Sequence, residues 1–258
     1  MKKSKSPLIS IITPTYNSEL YISKTIESII NQTYKNWELL ITDDFSSDNT
    51  INIIESYISF DKRIKLFSLK KNSGSAEARN KSITNSSGDF LAFCDSDDIW
   101  LPSKLNTQLQ FMILNKLSFC FTAYEIINYK GFPINISVDS KQHGFFTYND
   151  MLKKKATLGC CTVMLKKKSF VGLLEMPNIR TGQDYAFWLK LLKYSNHFAY
   201  ILPRVLSRYR ISPNSISRNK FKKAKTQFYI YRKIENINFI KSIYYFFFYA
   251  LRAIFRTS

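Results

Sequence analysis

Short apolar runs and helical patterns alternate along the first part of the chain, up to about residue 115. The apolar runs cover residues 8–12, 37–42, 64–69 and 90–94. Each run is long enough for a buried strand and too short for a buried helix. Between the runs, apolar residues recur with the spacing of one helix face. Because strands joined by crossover helices pair in parallel, the pattern predicts an α/β fold with a mostly parallel central sheet and helices on both faces.

The later part of the chain has fewer clear elements. We predict strands at residues 119–127, 161–165, 198–202 and 205–209. Residues 128–143 have no clear period and are predicted to form a loop. A strongly periodic helix is expected to begin near Gly182, and an earlier short helix is expected to end at Gly88 as its C-terminal glycine.

Polar clusters follow four of the predicted strands. They occupy residues 13–17, 43–44, 72–75 and 95–98. In open parallel sheets, ligands bind outside the carboxyl ends of the strands. A random arrangement would place some polar clusters at the opposite edge, so this distribution predicts one site at one edge of the sheet.

The cluster at residues 95–98 contains three acids, Asp95, Asp97 and Asp98. Adjacent carboxylates repel each other, and burial makes an unpaired one costly. A hard cation such as Mg²⁺ or Mn²⁺ would relieve that cost, with water and phosphate oxygens as its other ligands. The alternative is that these acids cap the following helix or form a turn, and Asp98 suits a cap best.

The composition argues against several classes of site. With seven glycines, the chain contains neither GxGxxG nor GxxxxGK[ST], which disfavours a Rossmann dehydrogenase or a P-loop NTPase. Two histidines are too few for a multi-histidine metal site, and the four cysteines lack paired spacing. The net charge of +19 favours anionic partners. The start of the chain lacks a signal-peptide core, which predicts a cytoplasmic protein.

Asp184 lies at the start of the helix predicted near Gly182. One interpretation is a cap or first-turn acid, which the helix dipole favours. The other is a general base that removes a proton from an attacking hydroxyl group. The residue pattern leaves both open.

Residues 218–258 form a segment of different character, a basic run followed by a stretch rich in aromatic residues. Its uncharged core between Lys241 and Arg252 is ten residues long, too short to span a bilayer. On a helical wheel, one face carries Lys241, Tyr245, Arg252 and Arg256. The opposite face carries Phe239, Ile243, Phe246, Ala250 and Ile254. This pattern predicts an interfacial helix over residues 239–256 on an acidic membrane, and the alternative is a helix docked on the domain or in a dimer.

Several motifs in order resemble the family 2 glycosyltransferases, which are inverting enzymes of the GT-A fold. The motifs are IITPTYN at 11–17, DD at 43–44 with SSDNT at 46–50, NxG at 72–74 with ARN at 78–80, and DSDD at 95–98. The resemblance covers about residues 7–215. It implies a GT-A domain at 1–217, with a nucleotide-sugar half at about 7–105, an acceptor half at about 106–217 and a helical tail at 218–258.

The resemblance also implies roles for individual residues. The nucleotide-sugar would be bound by Pro14, Tyr16, Asp44, Asn72, Arg79, Asp95, Ser96 and Arg210. Asp95 and Asp97 match the DXD motif, and Asp97 is the expected direct ligand of Mn²⁺ or Mg²⁺. Asp184 matches the catalytic base of an acidic pair whose first member is here Gln183. Ser212 stands where the family often has a histidine.

The resemblance implies a metal-dependent glycosyltransferase that uses a nucleotide-sugar, expected to be a UDP-sugar. Its acceptor would be a saccharide or lipid-linked saccharide in bacterial surface-polysaccharide synthesis, and the protein would lie peripherally on the inner face of the cell membrane. Two alternatives are a sugar-nucleotide nucleotidyltransferase and a non-catalytic basic module that binds nucleic acid or membrane. Acids at the strand ends repel nucleic acid phosphates, so no nucleic acid partner is expected.

Overall fold

The computed structural model of the chain describes residues 6–211 and 220–255, with side chains described up to residue 252. Ser212 and Arg256, which the sequence analysis named, lie outside the described residues, as does the side chain of Ile254.

Strands and helices alternate as predicted up to the fourth strand, and a fifth, two-residue strand that was not predicted lies between it and the fourth helix. The strands are β1 (Ile9–Thr15), β2 (Trp37–Asp43), β3 (Ile64–Ser68), β4 (Phe90–Phe93), β5 (Ile99–Trp100), β6 (Phe119–Ile127), β7 (Pro133–Val138), β8 (Phe145–Phe146), β9 (Met164–Lys166) and β10 (Ala199–Arg210). The helices are α1 (Ile22–Ile30), α2 (Thr50–Phe60), α3 (Ser75–Thr84), α4 (Lys104–Leu114), α5 (Tyr148–Leu152), α6 (Gln183–Tyr194), α7 (Lys220–Tyr229) and α8 (Phe239–Phe255).

All of these strands belong to one sheet with the order β3-β2-β1-β4-β9-β6-β10-β5, with β7 beside β6 and β8 beside β10. β1 pairs in parallel with β2 and β4, β2 with β3, and β6 with β10. The short strand β9 is antiparallel to both β4 and β6, so those two strands point the same way. The six main strands therefore share one direction, which confirms the predicted mostly parallel sheet.

The sheet is covered on both faces because successive strand residues point to opposite sides. On β1, Ile11 belongs to the apolar cluster that includes α1 and α4. Its neighbour Ile12 belongs to the second cluster, which includes Phe187 and Trp188 of α6. The same shared direction brings the ends of the strands together, with Thr15 opposite Asp43 in the β1–β2 register. The polar clusters thus lie at one edge.

Two predicted elements differ from the structure through their pairing, and the strand predicted at 161–165 is shortened to β9, because Cys160–Thr162 form a 3-10 turn. The predicted loop at 128–143 contains β7, whose first five residues are exposed, so its side chains carry no burial pattern. The two strands predicted at 198–209 form the single strand β10, whose register with β6 shifts around Val205. Both differences arise because pairing with β6, rather than local pattern, defines the element.

Gly88 does not end a helix, contrary to the prediction. α3 ends at Thr84, with Asn85 as its C-cap residue. Gly88 instead packs against the start of β1, where its N–H donates to Ser10 Oγ at 2.8 Å. A Cβ atom at this position would lie 2.6 Å from Ser10 N and 2.8 Å from Leu8 O. Glycine is therefore required by the close approach of two backbones.

The tail is helical, as predicted, and one side of it docks on the domain. The π-helical turn Ile230–Ile234 follows α7 directly. The buried Tyr231 hydroxyl donates to Leu152 O at 2.8 Å. Glu235, also buried, accepts a hydrogen bond from Tyr148 at 2.7 Å and pairs with Lys193 at 3.1 Å. Of the helices in the two described ranges, none is long and apolar enough to cross a membrane.

The predicted cationic face of α8 is not the face turned to solvent. Tyr245 donates to Asn149 Oδ1 at 2.9 Å, and Arg252 pairs with Asp139 at 2.8 Å. Of the predicted face, Lys241 is exposed. The helical wheel could not identify which side of α8 packs on the domain. That side is determined by hydrogen-bond acceptors of the domain, which bind long cationic or phenolic side chains.

We expect Gly88→Ala to lower the free energy of unfolding by about 1–3 kcal/mol, because the added methyl group overlaps the backbone of β1. Urea unfolding measures the change. Gly159→Ala is the matched control, since its φ of −62° suits alanine and the nearest atom to its Cβ would be 3.5 Å away. Equal urea midpoints for the two variants would contradict the packing described here.

Candidate active site

The loops that follow β1 and β2 form one wall of the site. Pro14 lies near the end of β1, opposite Thr42 of β2, and Tyr16 follows with 49% of its surface exposed. Asn17 N–H donates to Ser46 Oγ at 2.9 Å, which ties the two loops together. The structure therefore places Pro14 and Tyr16 at the predicted edge, with the tyrosine ring accessible.

Asp44 holds the loop before α3. Its two carboxylate oxygens accept hydrogen bonds from Ser73 N–H at 2.6 Å and Gly74 N–H at 2.7 Å. The Asn72 side chain donates to Asp44 O at 3.3 Å. Asp44 and Asn72, both predicted from the sequence, thus belong to one hydrogen-bonded unit. The Asp44 carboxylate stabilises the turn that forms this wall of the pocket.

Arg79 on α3 forms a largely buried ion pair with Asp95. Its Nη2 lies 2.5 Å from Asp95 Oδ1, and the arginine side chain is 5% exposed. Burial disfavours the charged guanidinium, but the charge and hydrogen bond of Asp95, with smaller contributions from other nearby groups, together outweigh burial and raise the pKa of Arg79 above its usual value. Among the described residues, the buried Nε and Nη1 atoms of Arg79 have no hydrogen-bond partner. Two residues predicted from the sequence are therefore direct partners.

Ser96 and Asp98 stabilise the turn after β4. Ser96 Oγ forms a hydrogen bond with Ser18 Oγ at 2.8 Å, and Thr25 Oγ1 donates to the carbonyl oxygens of Ser96 and Asp98 at 2.9 and 2.8 Å. Asp98 Oδ1 accepts a hydrogen bond from Arg210 N–H at 2.9 Å. The suggestion that Asp98 caps the next helix is therefore wrong, because the N-cap of α4 is Ser103 and Asp98 is used to attach β10.

In the described ranges, the Asp97 carboxylate is the one of this turn that neither pairs with an arginine side chain, as Asp95 does, nor accepts the Arg210 N–H, as Asp98 does. Burial, together with the negative charge of Asp95, raises the pKa of Asp97 from 3.8 to about 6. The charges of Arg210 and Arg79 offset part of that effect. At neutral pH the carboxylate is ionised at a cost in free energy, so a nearby positive charge would be favourable.

The oxygen atoms available at this turn fit a divalent cation that takes few ligands from the protein and the others from substrate phosphate and water. Nowhere in 6–211 or 220–255 do three or more His, Cys, Asp or Glu side chains form a group able to hold a metal ion. Asp95 is engaged by Arg79, which leaves Asp97 as the available carboxylate. Mg²⁺ commonly uses one or two carboxylates and completes its shell with phosphate oxygens and water. Asp97 suits a site of that kind.

Arg210 is the last residue of β10 and is buried beside the same turn. Its Nε donates to Asp97 O at 2.8 Å, and its Nη1 donates to Asn128 O and Tyr129 O at 3.3 and 3.1 Å. The guanidinium is thus fixed by backbone carbonyls, which do not neutralise its charge. A positive charge held next to Asp97 suits an anionic ligand, so the predicted contact with a donor diphosphate remains a prediction.

The N-terminus of α6 brings Asp184 to the same edge. Gln183 Nε2 donates to Ser75 Oγ at 2.6 Å, which connects the start of α6 to the start of α3. The charge of Asp184 is one of the causes that raise the pKa of Arg79, which shows that the two groups are near each other. No group in the described ranges is seen to donate a hydrogen bond to the Asp184 carboxylate, and the N-cap, Gly182, has no side chain to cap the helix. The carboxylate is therefore available for chemistry.

Two residues of the site were not predicted. The Arg210 guanidinium carbon lies 4.8 Å from the centre of the Tyr21 ring, a cation–π contact that fixes the arginine from a second side. Arg180, in the segment before α6, donates from Nη2 to Asn72 Oδ1 at 2.8 Å. Neither residue belongs to a recognisable motif, and both partners are distant in sequence. The sequence therefore carried no signal for either.

The chain matches known proteins over most of its length. The family model described as Glycosyl transferase family 2 matches residues 10–172. The chain is 42% identical over 248 residues to the putative teichuronic acid biosynthesis glycosyltransferase TuaG of Bacillus subtilis. This match covers 96% of each chain. The chain is also 42% identical over 221 residues to the Escherichia coli UDP-Glc:alpha-D-GlcNAc-diphosphoundecaprenol beta-1,3-glucosyltransferase WfgD, covering 85% of this chain and 83% of that one.

Among solved structures, the fold resembles that of S. aureus TarS in complex with UDP-GlcNAc. The TM-score is 0.73 at 22% sequence identity, and the match covers 88% of this chain. It covers 65% of the solved TarS chain, which therefore extends beyond the matched part. At this identity the match supports the fold, and it agrees with the GT-A architecture predicted from the motifs.

We expect Asp97→Asn to raise the free energy of unfolding at pH 8 by about 1–3 kcal/mol in the absence of divalent metal. A carboxylate whose pKa is raised from 3.8 to about 6 on folding makes the native state less stable as the pH rises through that interval, and the loss persists above it. Asparagine removes the charge and hence the loss. Urea unfolding in EDTA measures the difference.

The control is Glu55→Gln, which removes an exposed carboxylate from α2 and should change stability by less than about 0.5 kcal/mol. An Asp97→Asn variant no more stable than this control at pH 8 would show that the Asp97 carboxylate is not under electrostatic strain.

Proposed function

This chain belongs to glycosyl transferase family 2, and we propose that it transfers a sugar from a UDP-sugar to a hydroxyl group of a lipid-linked saccharide, with inversion at the anomeric carbon. The observation that carries the proposal is the convergence of Asp97, Arg79 and Asp184 at one edge of the sheet. In this proposal residues 7–105 bind the donor, 106–217 bind the acceptor and 218–258 hold the enzyme at the membrane.

The names of the relatives support this choice of substrates. WfgD is named for a UDP-glucose donor and a diphosphoundecaprenol-linked acceptor, and TuaG for teichuronic acid biosynthesis. TarS was solved with UDP-GlcNAc. Two of these names contain a UDP-sugar, one contains a lipid-linked acceptor and one a polymer whose synthesis the enzyme serves. By comparison, a nucleotidyltransferase or a nucleic-acid-binding module has no support from these relatives.

Cleavage of a nucleotide-sugar builds negative charge on the departing diphosphate. Arg210, fixed beside Asp97, supplies a permanent positive charge for it. Asp97 would hold Mn²⁺ or Mg²⁺ together with diphosphate oxygens, and the cation would act there as a Lewis acid. Asp95 keeps Arg79 charged and in place, so its contribution is to position the donor side of the site.

Asp184 is the proposed general base. It would take the proton from the acceptor hydroxyl as that oxygen attacks the anomeric carbon from the side opposite to the diphosphate, which accounts for inversion. The neighbouring residue, Gln183, cannot accept a proton at neutral pH, so the task rests on one carboxylate.

We expect Asp184→Asn to lower the rate of sugar transfer by about 10²–10⁴-fold while the affinity for UDP stays within about twofold of wild type. Asparagine preserves the shape of the side chain but cannot remove a proton. Transfer is measured with UDP-sugar and a lipid-linked acceptor, and UDP affinity by titration calorimetry. Glu175→Gln, an exposed acid in the segment before α6, serves as the control. A near-wild-type rate in Asp184→Asn would exclude Asp184 as the base.

The membrane contact is proposed for the outer face of α8. Five large apolar side chains on that face are between 49% and 80% exposed: Phe239, Ile240, Ile243, Tyr244 and Phe247. They are spaced at one and two helical turns, so they form a continuous stripe. Exposed lysines such as Lys225, Lys233 and Lys241 lie on the same tail. An apolar stripe with basic neighbours suits the interface of an acidic bilayer.

We expect the double variant Ile240→Glu, Phe247→Glu to bind vesicles that contain phosphatidylglycerol at least about tenfold more weakly than wild type, because two charges replace inserted apolar groups. Vesicle co-sedimentation measures binding. The control, Phe60→Glu with Leu114→Glu, alters apolar residues that are equally exposed elsewhere. If both double variants bind equally well, the outer face of α8 is not the membrane contact.

A further inference from the structure

The segment before α6 crosses from the second half of the chain to α3. Met176 exchanges two hydrogen bonds with the Asn80 side chain, at 2.7 and 2.9 Å. Four residues later, Arg180 Nη2 donates to Asn72 Oδ1 at 2.8 Å. Arg180 Nη1 lies 3.3 Å from the position that a Cβ atom of Gly74 would occupy. An arginine of the second half therefore lies directly on the loop that begins α3.

The charge of Arg180 is not neutralised by the protein. In residues 6–211 and 220–255, no carboxylate forms an ion pair with it, and its hydrogen-bond acceptor is a neutral amide. By contrast, Arg79, Arg63 and Arg208 each have a carboxylate partner within 2.6 Å. Arg180 is also exposed, so its remaining N–H groups can meet a ligand.

Polar and positively charged groups lie near Arg180 on the side of α3. α3 begins at Ser75, where the helix N-terminus adds partial positive charge. The side chain of Gln183 is 9% exposed and its Nε2 donates to Ser75 Oγ, yet its Oε1 has no partner among the described residues. Exchanging the amide oxygen and nitrogen would leave the NH₂ group unpaired instead. One turn along α3, Arg79 has two buried N–H groups without partners.

We propose that Arg180 binds the diphosphate of a substrate. Arg180 would reach this diphosphate from the half of the chain that is proposed to bind the acceptor. Two positive side chains and a helix N-terminus with unsatisfied polar atoms suit a ligand with several anionic oxygens. A guanidinium can bind two phosphate oxygens at once, and Asn72 holds it in the required orientation. This inference rests on the proposed function, in which two substrates carry a diphosphate: the UDP-sugar donor and the lipid-linked acceptor.

The experiment compares Arg180→Ala and Arg180→Lys with the charge-matched control Arg204→Ala, which removes an exposed arginine from β10. Titration calorimetry with UDP and Mn²⁺ measures binding of the donor diphosphate. Steady-state transfer is measured with two acceptors, a diphospholipid-linked saccharide and the same saccharide as an alkyl glycoside without phosphate. Thermal melting establishes that each variant is folded, which is expected because Arg180 is exposed.

We expect Arg180→Ala to weaken one diphosphate interaction about 10- to 100-fold, the size of a lost hydrogen bond between charged groups. A weaker affinity for UDP identifies the donor as the source. An increase in KM confined to the diphospholipid acceptor identifies the acceptor. Arg180→Lys should retain part of the interaction, because the charge remains and the paired geometry is lost.

Wild-type UDP affinity together with unchanged KM for the diphospholipid acceptor in Arg180→Ala overturns the proposal. An equal loss with both acceptors, at unchanged UDP affinity, overturns it too, since Arg180 would then only fasten the segment before α6. If the wild-type enzyme neither binds UDP nor transfers sugar, the proposed function and this site are both contradicted. If the wild-type enzyme does both and Arg180→Ala has the same UDP affinity and transfer kinetics, this site alone is contradicted.

Discussion

Three carboxylates within four residues must be accommodated at the end of β4, and most of the site follows from how that is done. Each acid is treated differently. Asp95 is paired with Arg79 of α3, and Asp98 accepts the backbone N–H of Arg210 at the end of β10. Among the described residues Asp97 has no comparable partner, and burial together with the charge of Asp95 raises its pKa. Burial also raises the pKa of Asp98, so two acids attach neighbouring elements while Asp97 is the one left for a cation, which would relieve the repulsion at this turn.

The second half of the chain completes the site through a few long-range contacts. β10 contributes Arg210, α6 contributes Asp184, and the segment before α6 contributes Arg180. Each is fixed to the first half by hydrogen bonds between residues about a hundred positions apart, as in the pair of Gln183 with Ser75. In the proposed reaction, Asp184 acts as the base on one side of the substrate and Arg210 supplies positive charge on the other. That separation is what in-line displacement requires.

Local pattern predicted the elements whose burial is regular and failed where another segment decides. β6 was predicted at its observed bounds, because nearly all of its residues are buried. β7 was missed, because an exposed strand on the outer side of the sheet needs no apolar alternation. Gly88 was mistaken for a helix end, since a close approach to β1 and a helix C-terminus both favour glycine. The exposed apolar face of α8 was predicted correctly only in part. Contacts with residues of the domain determine which side of the helix is buried.

The sequence by itself determined the parallel sheet, the edge where the polar clusters gather and the family to which the motifs point. These follow from periodicity and from residue types at fixed spacing, which are properties of short segments. Only the tertiary structure decided that Asp95 is consumed by Arg79, that Asp98 holds β10 and that Arg180 reaches Asn72. The physical reason is that a charged side chain takes its role from the partners that burial places beside it, and those partners come from distant parts of the chain.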